Sequence, residues 1–523
     1  MPADAGLPNA KLTDQQDPPQ ISAPVKVTLH QLFCMEATAA PCGIVIIGAS
    51  GDLAHRKLLP GLYHLYKVKL LPKEFFILGA ARSPGDDAGF RDQIEAAFKE
   101  KGETDGATLR GFLEHVYYRS VQYAQLGTLE SPLKEFALKH ATQGKLLFHI
   151  ATPPEVYESA IASLSQAGLI GKGKNAAVII EKPFGYDLDS ARRLNRLLLA
   201  NLDESQIYRI DHYLGKETVQ NILMFRFANS IFEPVWNRRY IDHVQITAAE
   251  SIGIEHRAGF YEKAGNLRDV FQNHMFQLLS TVAMEPPVVL DQDQYRNEKL
   301  KVIRSLRPIP AEKLNEMVVR GQYGSGAIDG TPVAAYRQEE GVNPASTTET
   351  FVAMKLFIDN WRWEGVPFYL RSGKRLARGV TEIAIQFKQV PHSMIPAFPA
   401  DQFSPNVLTF RLQPQEGISL SFEAKQPGTK FCMTTLDMAF NYKDVFRKSS
   451  MEAYERLLLD AMQGDQTLFV REDMNDLSWA FMTTILKGWE QSPPGNFPNY
   501  AAGSWGPREA QALIEKDGRA WRK

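Results

Sequence analysis

Residues 43–54 read GIVIIGASGDLA: an unbroken apolar run from Ile44 to Ile47 that ends in glycines, a serine and an aspartate. A strand with one wet face alternates apolar and polar residues, so an unbroken run is expected of a parallel strand buried on both faces. The glycines that follow allow a tight turn and a close approach of backbone to ligand, ahead of helix-forming sequence from Asp52 to about Leu71. A helix amino terminus holds anions through its unpaired N–H groups and its dipole. GASGDLA is therefore a place for a pyrophosphate, with Gly48, Ala49, Ser50, Gly51, Asp52 and Leu53 against the dinucleotide. Gly48, Gly51 and Ala54 depart from the usual G-x-G-x-x-G, in that the middle glycine is missing and the last is Ala. A plain strand-to-helix turn is the competing reading.

Working outward, FFILGA (75–80), LLFHIA (146–151) and AAVIIE (176–181) repeat the apolar run, and a helical pattern covers Phe90 to Lys101. Strands alternating with helices imply a doubly wound, Rossmann-like parallel α/β sheet, expected over 39–205. Residues 1–38, rich in Pro, Asp, Gln and Ala, are expected to be a disordered extension. Beyond 205 the pattern changes. TEIAIQF, NVLTFRLQ and GISLSFEAK each carry apolar residues on one face, and helical segments at 216–228, 266–284 and 450–463 lie among them. A larger α+β domain with a mainly antiparallel sheet, half solvated or covered by helices, is expected over 206–523. A chain of 523 residues without internal repeats fits two domains.

Composition narrows the function classes. The chain is 44% hydrophobic and 23% charged, with 59 basic against 60 acidic residues and a net charge of -1. That balance gives no nucleic-acid footprint and no attraction to an anionic membrane. The three cysteines, Cys34, Cys42 and Cys432, are an odd, sparse set without metal-ligand spacing, so neither a metal site nor a disulfide framework is expected. A regulatory disulfide between Cys34 and Cys42 is the alternative to two unremarkable thiols. No apolar run reaches membrane-spanning length, the amino terminus lacks a signal-peptide pattern, and a cytoplasmic location is expected.

Five further motifs carry chemistry. After FFILGA come Arg82 and Ser83, with no acid until Asp86. An acid there would hold the ribose 2′-hydroxyl of NAD, whereas a guanidinium grips the 2′-phosphate of NADP. Arg82 thus favours NADP, with a surface arginine as the alternative. EKPFG (181–185) places Lys182 at a strand's carboxyl end, where ligands sit in open α/β sheets, although a solvated lysine explains it as well. RIDHYLGKE (209–217) offers His212, Tyr213 and Lys216 as donors beside Asp211, ahead of helix-forming sequence. This is a receptacle for an anionic substrate group or, equally, a polar interdomain hinge. In RDVFQNHMFQLL, His274 sits on an apolar helical face, either as a core residue or as a base pointing into a pocket. Asp269, five residues earlier, converges with it only if it occupies the helix's first turn. FYLRSGKRLARG brings Arg371, Lys374, Arg375 and Arg378 together, in a site or in a solvated turn.

With GASGDLA, EKPFG, RIDHYLGKE, RDVFQNH and LRSGK in this order, the chain resembles the glucose-6-phosphate dehydrogenase family from about residue 43 to GPREA at 507–511. The resemblance implies oxidation of glucose 6-phosphate at C1 with NADP, giving 6-phosphogluconolactone and NADPH at the entry to the pentose phosphate pathway. It implies that His274 is the general base and that Asp211 orients it. It places the phosphate on His212, Tyr213 and Lys216, and other sugar contacts on Lys182, Glu250, Asp269, Lys374 and Gln413. It also implies a homodimer or homotetramer. Two departures stand out. His149 replaces a tyrosine near the cofactor. The basic set that holds a second NADP in some members is thinned, with Ala384, Ser419, Ser421 and Trp505 in place of its residues, while Arg371, Arg411 and Asp437 remain. A second NADP is not expected from such a set. The rival classes are another NADP-dependent sugar oxidoreductase, which the intact RIDHYLGKE opposes, and a non-catalytic NADP(H)-binding regulator, which His274 opposes.

Overall fold

The apolar runs form the middle of a seven-stranded sheet whose spatial order is 469–470, 207–210, 176–180, 146–150, 42–47, 75–81 and 116–120. This is a computed structural model, and it describes residues 38–103, 105–395, 399–428, 432–446 and 451–523. The amino-terminal extension up to residue 37, and Cys34 with it, fall outside the described residues. Every position of strand Cys42–Ile47 is buried because its side chains feed two cores. Ile44 and Ile46 pack with Leu58 and Leu62 on one face, and Val45 and Ile47 pack with Leu133 and Phe136 on the other. Six strands are parallel; Phe469–Val470 runs antiparallel to Ile207–Ile210. From Cys42–Ile47 the chain builds outward through 75–81 to 116–120, then crosses back to 146–150 on the other side. At such a reversal the loops leaving neighbouring strands diverge and open a crevice at the strands' carboxyl ends.

The sheet does not stop at the boundary read near 205. Its sixth strand is Ile207–Ile210, and Phe469–Val470 returns from far along the chain to complete it. A two-residue strand has no periodicity to detect, so only pairing reveals it. The helix expected from Asp52 to about Leu71 is also divided. Ala54–Leu58 forms a wide, i→i+5 bonded turn, and an α-helix runs from Leu59 to Lys67 with Pro60 in its first turn. Proline has no N–H to donate and is tolerated at such a start.

The second sheet has eight strands in the order 433–441, 417–425, 407–413, 380–387, 241–249, 368–373, 351–356 and 318–321. All neighbours are antiparallel except Ile241–Ala249 with Phe368–Gly373. The expected one-sided burial is not what strand Val380–Phe387 shows. Val380, Glu382 and Ala384, opposite the Ile383–Ile385 face, are buried too. The carboxy-terminal segment covers them, and Arg522 reaches Glu382 at 3.4 Å. Under the sheet, Leu267–Met275 is a second wide i→i+5 turn that continues into α-helix Phe276–Ala283, all of whose residues are buried.

Candidate active site

The first half of the site lies at the reversal point. Gly48 has φ +97°, and a Cβ there would meet the Ala151 carbonyl oxygen at 2.6 Å, so only glycine fits between the two strand ends. Ala49 is buried beneath the loop and Ser50 is exposed on it. Asp52 faces solvent in an ion pair with Arg56 at 3.5 Å. Leu53 is the residue from which the wide turn Ala54–Leu58 starts. Across the crevice, Ser83 Oγ donates to Ser50 Oγ at 3.2 Å, which ties the loops after the first and second strands together. The Arg82 guanidinium lies 5.4 Å from the Tyr123 ring centroid and has no carboxylate partner among the described residues. Asp86, the nearest acid in sequence, caps helix Asp87–Glu100 by accepting from the Gly89 N–H. It is committed to the helix, and Arg82 is left to meet an anion. Residues 48–53 with Arg82 and Ser83 thus fit a dinucleotide carrying a 2′-phosphate.

The second half sits where the first sheet's later strands end. Asp211 follows strand Ile207–Ile210 directly, and its Oδ1 accepts from the Tyr213 N–H at 3.0 Å. Gly215 cannot be replaced freely, because a Cβ would meet the Ala453 carbonyl oxygen at 2.6 Å. That contact holds the loop in place before helix Glu217–Phe227 starts. His274 Nδ1 lies 2.6 Å from Asp211 Oδ1, both of them buried. A carboxylate only accepts, so Nδ1 carries the hydrogen and Nε2 is left as a free base. Burial drives the Asp211 carboxyl upward, but the His274 imidazole and its hydrogen bond outweigh it, and the group settles at about 2. Burial, aided by the Lys182 charge, pushes His274 below the usual imidazole value against the pull of Asp211. The pair is therefore a neutral base beside an ionised orienting carboxylate.

Tyr213 stacks on His274, ring centroids 4.2 Å apart, and His212 meets it edge-on at 4.6 Å. Lys216 extends over Tyr213, with Nζ 4.6 Å from the ring centroid, and donates to the Gln413 side chain. Lys182 Nζ donates to Asp269 twice, to its carbonyl oxygen and to Oδ1, each at 2.9 Å. Lys374 Nζ donates to Glu250 Oε2 at 2.5 Å. Glu250 and Lys374 meet because they follow the one parallel pair of the second sheet, Ile241–Ala249 and Phe368–Gly373. Asp269 does occupy the first turn, and i→i+5 bonding brings residues five apart to nearly the same face, so its charge bears on His274. The residues that the resemblance assigns to the base and the substrate are thus brought together here, whereas Arg371 and Arg378 turn to Trp505 and Arg375 to Glu339. Asp211, His212 and His274 place nitrogen and oxygen atoms within 4.8 Å of one another, a spacing that could suit a cation. The charges of Lys182 and Lys216 bear on His212 and favour an anion instead.

Sequence reading overlooked Tyr454 and its partner Glu181. Tyr454 stacks on His212 at 6.2 Å and donates to Glu181 Oε2 at 3.1 Å; nothing in helix Ala453–Gln463 marks it. His149 Nε2 donates to Glu181 Oε1 at 2.9 Å, so the histidine in the tyrosine's place is tied to the residue before Lys182. At the thinned basic set, the Arg371 guanidinium carbon is 4.6 Å from both the Trp505 and Trp521 rings, and it donates to the Arg522 carbonyl. The chain's own end packs against that arginine. Cys42 is a buried free thiol, pushed up to about 11 by burial, and Cys432 is exposed and free.

A doubly wound sheet with a glycine crevice, opening beside an imidazole–carboxylate base, defines a dinucleotide-dependent dehydrogenase. Family models for the glucose-6-phosphate dehydrogenase NAD binding domain and C-terminal domain match residues 45–221 and 223–522. The chain belongs to the glucose-6-phosphate dehydrogenase family. It is 46% identical over 490 residues to the glucose-6-phosphate 1-dehydrogenase of Aggregatibacter actinomycetemcomitans, covering 93% of this chain and 98% of that one. The Bacillus subtilis enzyme of the same name is 42% identical over 91% of this chain and 97% of its own length. Among solved structures, a glucose-6-phosphate dehydrogenase in complex with its substrate glucose-6-phosphate superposes with a TM-score of 0.83 at 35% identity, covering 94% of this chain and all of that one. A Mycobacterium avium glucose-6-phosphate 1-dehydrogenase superposes with a TM-score of 0.79 at 36% identity, covering 93% and 99%.

Proposed function

We propose that the chain oxidises glucose 6-phosphate at C1 and delivers the hydride to NADP, giving 6-phosphogluconolactone and NADPH in the first step of the pentose phosphate pathway. The observation that carries this reading is the neutral His274, oriented by Asp211 at 2.6 Å, beside a His212 on which the charges of Lys182 and Lys216 bear. Bound NADP supplies the hydride acceptor. His274 Nε2 takes the C1 hydroxyl proton as the hydride leaves C1, and Asp211 stabilises the imidazolium that forms. His212, Tyr213 and Lys216 gather the phosphate. Lys182, Glu250, Asp269, Lys374 and Gln413 direct their polar groups to the sugar, and Lys182 also borders the cofactor. Residues 39–205 with the added strands bind NADP, and 206–523 supply the substrate and oligomer surfaces. Among the described residues no helix is long and apolar enough to cross a membrane. A cytoplasmic homodimer or homotetramer, independent of nucleic acid and membrane, completes the reading. In its support, outer strand Met433–Asn441 exposes Leu436 and Met438.

The test is NADPH formation followed by absorbance with glucose 6-phosphate and with free glucose. Strong preference for the phosphorylated sugar is expected; equal use of both, or no reduction of NADP with either, overturns the reading.

Arg82→Ala tests the cofactor half. A hydrogen bond to a charged group contributes about 1.5–3 kcal/mol, so KM for NADP should rise about ten- to hundredfold while NAD is little affected. Equal weakening of both cofactors assigns Arg82 to supporting the loop and not to reading the 2′-phosphate.

A further inference from the structure

One buried cation is used by none of these steps. Lys299, on helix Gln292–Arg304, is buried, and its Nζ donates to Gln277 Oε1 at 2.5 Å. Gln277 lies three residues beyond His274, and its amide is otherwise turned to Met474 Sδ at 3.6 Å. Among the described residues Lys299 forms no close ion pair, although burying an ammonium without an anion is costly. The two charges that bear on it are the Asp211 carboxylate, which favours the ammonium, and Arg296, which opposes it. Asp211 mirrors this: Oδ1 is taken by His274 and the Tyr213 N–H, while Oδ2 is buried without a hydrogen-bond partner among the described residues.

We propose that Lys299 is a positioning residue of the reaction: anchored on Gln277, one helical turn beyond His274, its ammonium is a buried positive charge behind the Asp211–His274 pair and sets the basicity of that pair. This rests on His274 being the base. A cation near the pair favours the carboxylate and opposes adding a proton to the imidazole, so His274 stays ready to accept at lower pH. The surrounding groups leave Lys299 this role. Arg296 is held by Asp293 at 2.9 Å and by Gln466, and Glu298 pairs with the exposed Lys301 at 2.6 Å. On the neighbouring helix, Glu472–Gln491, Asp473 is occupied by Arg471 at 2.8 Å, and the Tyr295 ring stacks 5.1 Å from Nζ. Burial brings Lys299 down to about 7, so its charge is present on the acid side of neutrality and fades above it. Its influence belongs to the acid limb of the pH profile and not to the alkaline plateau.

The experiment measures kcat/KM for glucose 6-phosphate against pH in the full chain, with two neutral variants, Lys299→Met and Lys299→Gln, and the charged Lys299→Arg. Melting temperatures are recorded alongside. Without the cation the pair binds a proton more readily. The acid limb of the neutral variants should move up by about one pH unit, a roughly tenfold loss on that limb, while the plateau stays within about threefold of wild type. Lys299→Arg should keep the wild-type limb. Neutral variants whose limb coincides with wild type, whatever their activity or melting temperature, overturn the role of Lys299 alone. An equal shift in Lys299→Arg overturns it too, because charge would not be the cause. A wild-type profile with no acid limb overturns both this role and His274 as the base.

Discussion

Replacing His274 by Asn is expected to lower kcat for glucose 6-phosphate by about 10²–10⁴-fold with little change in substrate binding, because loss of a general base typically costs that much. The same loss is expected of Asp211→Asn for a different reason. The carboxylate compels Nδ1 of His274 to carry the hydrogen, across 2.6 Å. An amide in its place can donate to Nδ1, which moves the ring hydrogen to Nε2, the atom that must accept. The pH dependence follows from the direction of the shift. Burial holds His274 below its ordinary value, so the base stays unprotonated further into acid than a free imidazole near ~6.5. Turnover is then lost as pH falls through that depressed value. Single-turnover NADPH formation with each variant, together with its melting temperature, checks the prediction. Near-normal turnover in His274→Asn removes the residue from the role of base.

Lys216→Ala is expected to lower kcat/KM for glucose 6-phosphate by about 2–4 kcal/mol, roughly thirty- to a thousandfold, with most of the effect in KM. Lys216 stands at the start of helix Glu217–Phe227 and reaches Gln413, a residue at the end of strand Val407–Gln413. A phosphate there gains a charge-assisted bond at a distance from C1. A contact equally strong in ground and transition states changes KM alone; remote binding energy that also places C1 lowers kcat too. Burial brings the free-enzyme ammonium down to about 8, against the opposing pull of Glu416 and Asp211. Its charge is present below that value and lost above it, so KM for glucose 6-phosphate should rise through pH 8 in the wild type and not in the variant. Free glucose, which has no phosphate, should be used equally poorly by both. A variant as impaired on glucose as on glucose 6-phosphate makes Lys216 a structural residue.

RIDHYLGKE was readable as a polar cluster held by a glycine because its donors lie within one short loop, and local sequence is enough to bring them together. It could not show which donors face which. Asp211 meets a histidine 63 residues away, Lys182 an aspartate 87 away, and Lys216 a glutamine 197 away. Tyr454 was invisible for the same reason. On its helix it is one more aromatic residue, and it becomes part of the site only through Glu181, 273 residues distant. No pattern in RNEKLKVIR distinguishes the inward-pointing ammonium of Lys299 from its exposed neighbour Lys301.

The sequence by itself determined the doubly wound sheet, because a strand covered on both faces must be apolar at every position, as GIVII is. It also pointed to a tight turn after that strand, because Gly48 and Gly51 end the apolar run ahead of helix-forming sequence; that only glycine fits at 48 was decided by the Ala151 carbonyl, a distant residue. Tertiary structure alone decided three other features. It added the antiparallel edge strand Phe469–Val470, too short to carry a pattern. It buried the second face of Val380–Phe387, which the chain's own end covers. It put Asp269 and His274 on nearly the same face, because the helix between them winds with i→i+5 bonds that helical periodicity at 3.6 residues does not anticipate. Periodicity records which face of a segment meets apolar surroundings. It does not record which distant segment provides them, because that choice is made by packing and pairing across hundreds of residues of intervening chain.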